Sequence, residues 1–239
     1  MGESEKIIKR ELLGLCKLSY LPPDAFKRCC ANGYTYSKSF HTSTGLDVYF
    51  VKKGGQTILV VRGSDEISDW LRTNIDIRWE KVDGFKVHRG FYRQALELKR
   101  IMYSEGLVAD IATGHSLGAA TVEALKIIGP DSVKTAITFG GPGVCSIFGR
   151  TRPTWPTIYN FTRIVGIDDV IGRVPLTYNS AMPTYLLHSA AKTGKFGHLT
   201  RLPTRKRWIW LKPLFTAIFK LKTLMSRHHT DWYLENLGD

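Results

Sequence analysis

Residues 3–19 place Ile7, Ile8, Leu12, Leu15 and Leu18 at helical spacing, which predicts an amphipathic helix. The stretch "LPPD" at 21–24 stops it, because two consecutive prolines cannot extend the ladder of a helix. Three runs then read as strands: "YTYSKSF", "LDVYFVK" and "TILVVRG". The last two are joined by "KGGQ", whose paired glycines suit a hairpin turn. Beyond them the period alternates. "RGFYRQALELKRIMY" predicts a helix and "GLVADIATG" a strand. "LGAATVEALKIIG" is a helix ending at Gly129-Pro130, and "SVKTAITFGGPG" and "TIYNFTRIVGIDD" are further strands. Strand and helix alternating through the middle of the chain predict an α/β fold, a mainly parallel central sheet with helices on both faces.

That order of elements gives meaning to "IATGHSLGAAT" at 111–121, which contains a Gly-x-Ser-x-Gly centred on Ser116. In a chain with 22 glycines the pattern alone says little. Its context says more, because a strand precedes it and a helix follows. The glycines allow a tight turn that lifts the serine hydroxyl above the sheet edge, and the helix N-terminus faces any developing negative charge. An activated serine needs a base, and the base needs an orienting carboxylate. The carboxylates after Ser116 are Glu123, Asp131, Asp168, Asp169, Asp231, Glu235 and Asp239. Asp168 and Asp169 follow a predicted strand, where loops carry reactive side chains in open α/β sheets. The later histidines are His188, His198, His228 and His229, of which the last two open "HHTDWYLENL". Isolated histidines such as His188 and His198 usually serve packing or the surface. An oxyanion hole would take one N–H from Leu117 and another from Ser64 in "ILVVRGSDEISDW".

Six segments, in order, carry a resemblance: "VVRGSDEISDWL", "VHRGFYRQA", "TGHSLGAAT", "ITFGGPGV", "IDDVIGRVP" and "HHTDWYLENL". The chain resembles the class 3 lipases, the fungal triacylglycerol lipase-like branch of the α/β hydrolases. The resemblance implies the α/β-hydrolase fold and a lipid ester substrate, acylglycerol or phospholipid, with no metal or organic cofactor. It implies Ser116 as nucleophile, with Ser64 and Leu117 as oxyanion-hole residues. Asp169 becomes the acid because it precedes "VIGRVP", with Asp168 second. Tyr233, five residues on, selects His228 as the base, with His229 second. Residues 65 to about 76 correspond to a segment that often forms a lid, with Ile67, Trp70 and Leu71 as its apolar residues. Gly172 and Ala119 depart from the family pattern, which usually has proline and often has glycine there.

Composition adds bounds. With 239 residues, 43% of them hydrophobic, a single domain over 1–239 is expected. The net charge of +13 favours anionic membranes or polyanions and tilts the substrate toward anionic phospholipid. Cys16, Cys29, Cys30 and Cys145 form neither a disulfide framework nor a zinc spacing. The charged N-terminus lacks the apolar stretch of a signal peptide, and no run is long enough to span a membrane. A cytoplasmic protein, peripheral on membranes at most, is the expectation. A basic amphipathic insertion at about 201–227 sets Leu211, Leu214, Phe215, Ile218, Leu221 and Met225 on one face, and Lys212 and Lys220 away from it, with Lys222 at its edge. It suits an anionic lipid surface or docking on the body. Basic residues among aromatics also occur on nucleic-acid surfaces, but no motif for nucleic acid accompanies them. The rival function is a catalytically silent lipase-like protein that binds anionic membranes through this segment.

Overall fold

The alternation within the "KGGQ" hairpin explains how the sheet acquires two buried faces. A computed structural model describes residues 3–29, 33–64, 78–82, 85–146, 160–167, 169, 171–173, 178–179, 182–189, 199–201 and 228–237. Strands β1 (Thr35–His41), β2 (Asp47–Lys53) and β3 (Gln56–Val61) pair as an antiparallel meander. Val48 and Phe50 of β2 and Leu59 and Val61 of β3 enter one apolar cluster, while Tyr49, Val51, Ile58 and Val60 enter the other. Successive side chains point to opposite faces of a strand, so an unbroken apolar run marks a sheet covered on both sides. The turn itself has Gly54 at φ +55° and Gly55 at φ +78°, the left-handed pair that a two-residue hairpin needs.

The chain continues through β4 (Trp79–Val82), β5 (Phe85–His88), α3 (Arg89–Ser104), β6 (Ala109–His115), α4 (Leu117–Ile128), β7 (Val133–Phe139), β8 (Cys145–Ser146), β9 (Phe161–Gly166), β10 (Tyr178–Asn179), β11 (Thr184–Leu187) and β12 (Leu199–Arg201). Helices α1 (Glu3–Leu18) and α2 (Pro23–Cys29) precede the meander, and α5 (Thr230–Leu237) follows β12. The main sheet runs β1-β2-β3-β6-β7-β9-β11-β12. Its centre, from β3 to β11, is parallel, and both edges are antiparallel. This is the mainly parallel α/β sheet that the sequence predicts. The connections through α3 and α4 cover one face, with Phe91, Ala95, Leu98 and Met102 of α3 buried there. On the other face lie α1, α2 and α5, which contribute Leu12, Leu15, Phe26, Tyr233 and Leu237.

Helix α1 forms where its period predicts, but its buried stripe differs. Ile7 and Ile8 are 50% and 44% exposed, whereas Leu12, Leu13, Leu15 and Cys16 are buried. A period defines a face; it does not say along which part of the helix a partner lies. A second sheet, β10-β8-β5-β4, is absent from the sequence reading because its strands are two to four residues long. Among the described residues no helix is long and apolar enough to cross a membrane. The segment expected as a lid, and residues 202–227 of the basic insertion, lie outside the described residues. Arg201, its first residue, ends β12.

Both departures from the family pattern have a packing reason. A Cβ on Gly172 would fall into the side chain of Val165, so a proline does not fit this site. A Cβ on Gly141 would stand 2.8 Å from the Cβ of Ala119, so the extra methyl at 119 is accommodated by glycine at 141. Gly141→Ala is therefore expected to cost about 1–3 kcal/mol by overpacking. The double variant Ala119→Gly/Gly141→Ala should be less destabilised than the sum of its parts, as read from denaturant midpoints. Strict additivity would mean the two positions do not share that space.

Candidate active site

Ser116 sits between the last residue of β6 and the first of α4, with φ 59° and ψ −127°. It is the one non-glycine at positive φ among the described residues. Such a conformation costs on the order of 1–3 kcal/mol and persists only where the surroundings enforce it. Here its N–H donates to the Phe139 carbonyl at 3.0 Å, and its own carbonyl accepts from Ala119 at 3.1 Å. The glycines on either side are needed for space. A Cβ on Gly114 would lie 2.6 Å from the carbonyl carbon of Gly118, and one on Gly118 would strike the Val61 carbonyl oxygen and reach 2.8 Å from that of Arg62. The end of β3 thereby presses against the start of α4. Gly63 follows, and a Cβ on it would be 3.2 Å from the Cβ of Ser116. Ser64 is thus the residue after the closest approach, and Leu117 opens α4, where a backbone N–H has no partner within the helix.

Asp169 lies in the loop after β9, with its N–H bonded to the Gly166 carbonyl at 3.0 Å. Its carboxylate is fully buried and receives donors from three directions. His228 Nδ1 lies 2.9 Å from Oδ2 and 3.1 Å from Oδ1. The Tyr233 hydroxyl donates to Oδ2 at 2.6 Å, and the Ile171 N–H to Oδ1 at 2.9 Å. Burial pushes the acid's pKa up, but the charge of His228 and these hydrogen bonds outweigh it, and the net direction is down. Asp169 is thus held as a carboxylate. Gly140, at φ +59°, makes room for the group: a Cβ there would be 3.0 Å from Asp169 Oδ2 and 3.1 Å from both His228 Cε1 and the Tyr233 hydroxyl.

A buried carboxylate beside Nδ1 fixes the proton on that nitrogen and leaves Nε2 with its lone pair. His228 Nε2 and Ser116 Oγ are both buried and both lack a hydrogen-bond partner. His229 is exposed, and Asp168 and His198 lie outside the described residues. His188, just past the end of β11, has its Nε2 2.8 Å from Thr200 Oγ1 of β12. Glu123 is buried 4.0 Å from Arg163, whose guanidinium donates to the carbonyls of Gly141 and Gly172 and so ties the loop after β7 to the loop of Asp169. In the sequence Tyr233 serves only to mark His228, and nothing in the local pattern singles out Gly140 or His115.

Residues 58–179 match the family model for lipase (class 3). The chain belongs to the class 3 lipase family. Its chemistry is accordingly that of a carboxylic ester hydrolase acting on lipid. The matched stretch holds Ser64, Ser116, Leu117 and Asp169, whereas His228 and Tyr233 lie beyond it and reach Asp169 through the fold. No curated protein matches the chain in sequence. Among solved structures it is similar to the triacylglyceride lipase of Rhizomucor miehei, at 18% identity and a TM-score of 0.63, covering 80% of this chain and 83% of that one. It is also similar to the mono- and diacylglycerol lipase of Aspergillus oryzae, at 19% identity and a TM-score of 0.57, covering 84% and 85%. A third is a triacylglycerol lipase whose catalytic centre is a serine protease triad, at 17% identity and a TM-score of 0.60, covering 80% and 83%. At these identities the likeness is one of fold.

Proposed function

We propose that this class 3 lipase hydrolyses lipid esters through Ser116, His228 and Asp169. The observation that carries the reading is the state of His228: Nδ1 is bonded to a buried carboxylate, while Nε2 and the Ser116 hydroxyl are buried with their hydrogen-bonding capacity open. His228 takes the Ser116 proton as Oγ attacks the ester carbonyl carbon, and the N–H groups of Leu117 and Ser64 hold the oxyanion. The imidazolium, stabilised by Asp169, then protonates the departing alcohol as the carbon–oxygen bond breaks. Water, deprotonated by His228, attacks the acyl-serine; the imidazolium then returns that proton to Oγ as the acyl carbon–Oγ bond breaks, which releases the fatty acid and restores Ser116. His229 and Asp168 are the second choices for base and acid. No metal or organic cofactor is required for these steps.

Acylglycerols and phospholipids both present such an ester. The net charge of +13 favours a substrate carried in an anionic membrane, with the protein peripheral at its surface. The test compares the full chain with Ser116→Ala on p-nitrophenyl esters of graded chain length and on neutral and anionic phospholipid vesicles. Loss of roughly 10⁴–10⁶ in kcat is expected for the variant. Equal turnover by both proteins would overturn the assignment. Binding to anionic vesicles with no turnover by the wild type would favour the silent, membrane-binding protein instead.

A further inference from the structure

Beside the trio stands a second buried histidine that the hydrolytic scheme does not use. His115 ends β6, and its ring lies 4.6 Å from that of His228, centroid to centroid. Its Nε2 is 2.7 Å from the backbone carbonyl oxygen of His228, and its Nδ1 is 2.9 Å from the Tyr20 hydroxyl. A carbonyl only accepts, so Nε2 carries the hydrogen. Burial first, then the positive charge of His228, pulls the His115 pKa down to about 3, against the opposing pull of Asp169 and the carbonyl bond. The ring is neutral, Nδ1 is an acceptor, and the Tyr20 hydroxyl must donate. The direction of every hydrogen bond in the chain Tyr20–His115–His228 is thereby set.

Tyr20 is itself located from the other side. The Arg62 guanidinium lies 5.9 Å from its ring centroid, and Arg62 is tied to Asp47 by a side-chain bond of 3.1 Å and a backbone bond of 3.0 Å. A Cβ on Gly63 would strike the Tyr20 hydroxyl. That hydroxyl therefore sits where the strand end leading to Ser64 meets the residue before Ser116, and the His115 ring carries the chain of bonds on to the main chain of His228.

We infer that Tyr20 and His115 are positioning residues, a hydrogen-bonded strut that fixes the main chain of His228 and so sets the approach of its Nε2 to Ser116. The inference rests on the triad proposed above. His228 precedes α5 and lies in a turn, not in the helix. Its bond to Asp169 fixes Nδ1 but leaves the ring free to pivot about that contact. A second anchor at the carbonyl removes the pivot. Misplacing reacting atoms by about 1 Å can cost on the order of 10² in rate, so an anchor with no contact to substrate still governs turnover.

The test uses the full chain with Tyr20→Phe, which removes one oxygen, and with His115→Phe and His115→Gln. Gln offers an N–H to the His228 carbonyl and an oxygen to Tyr20. Two readouts are taken: kcat and KM on a short soluble ester, and the rate at which a p-nitrophenyl alkylphosphonate labels Ser116. Tyr20→Phe is expected to lower kcat and labelling about 10-fold, and His115→Phe by about 10², both with KM within about twofold of wild type. His115→Gln should recover most of the loss, which a purely structural defect would not do. Should His115→Phe fail to fold, Tyr20→Phe and His115→Gln still decide the matter. Wild-type kcat and labelling in Tyr20→Phe, a loss confined to KM, or a His115→Gln variant as poor as His115→Phe would each overturn the strut. In all of those cases Ser116→Ala remains inactive; if Ser116→Ala turns over instead, the triad itself has failed.

Discussion

Asp169→Asn is expected to lower kcat by about 10⁴ while leaving KM for a short soluble ester nearly unchanged. The substitution keeps the shape of the side chain and removes its charge. Asp169 Oδ2 accepts from both His228 Nδ1 and the Tyr233 hydroxyl, while Oδ1 faces the Ile171 N–H. An amide supplies one acceptor oxygen and one NH₂. If the NH₂ turns toward His228, the imidazole must accept at Nδ1 and carry its hydrogen on Nε2, which removes the base. If it turns toward Ile171, two N–H groups face each other in a buried site, at a cost of about 1–3 kcal/mol. In either orientation the imidazolium formed during the reaction loses its counter-charge. Measured kcat within about tenfold of wild type, on folded protein, would show that another carboxylate orients the base.

Acid should destabilise the fold from a higher pH than its carboxylates alone would require. His115 ordinarily titrates near 6.5 and in the folded protein is held down to about 3, chiefly by burial and then by the charge of His228. Above pH 6.5 it is neutral in both folded and unfolded chains and makes no difference between them. Between 6.5 and about 3 the unfolded chain binds a proton that the folded chain refuses. Stability then falls by about 1.4 kcal/mol per pH unit on this account, several kcal/mol in all. Folded domains hold only about 5–15 kcal/mol, so the effect is large. Asp169, whose pKa is lowered, acts in the same sense but only near and below its ordinary value of 3.8. Denaturant midpoints from pH 8 to 4 should therefore fall in the wild type, with a shallower slope in His115→Gln. Parallel slopes in the two proteins would refute the role given to His115.

Local chemistry was legible in the sequence to the extent that it is local. The glycines of "KGGQ" report their own φ requirement, and the strand, tight turn and helix around Ser116 lie within one continuous stretch. The apolar runs of β2 and β3 foretell a sheet covered on both faces. What the pattern does not carry is which stretch of a face finds a partner, hence the exposed Ile7 and Ile8 on α1. Strands of two residues such as β8 and β10 have no period to read. The contacts of Tyr20 with His115 and of His115 with His228 join residues 95 and 113 positions apart, and nothing near any of them signals the others. His228 and His229 differ by one step along the chain, and only the fold separates the buried His228 from its exposed neighbour.

The positive φ at Ser116 sets it apart from every other described residue that carries a side chain. Every side chain except hydrogen is disfavoured there, so glycine is the residue that would relax the turn. Glycine also removes the hydroxyl proposed above as the nucleophile. With Ser116 as the nucleophile proposed above, selection for thermal robustness and selection for hydrolysis pull in opposite directions at one residue, and a search for stabilising substitutions guided by backbone conformation alone would nominate Ser116→Gly.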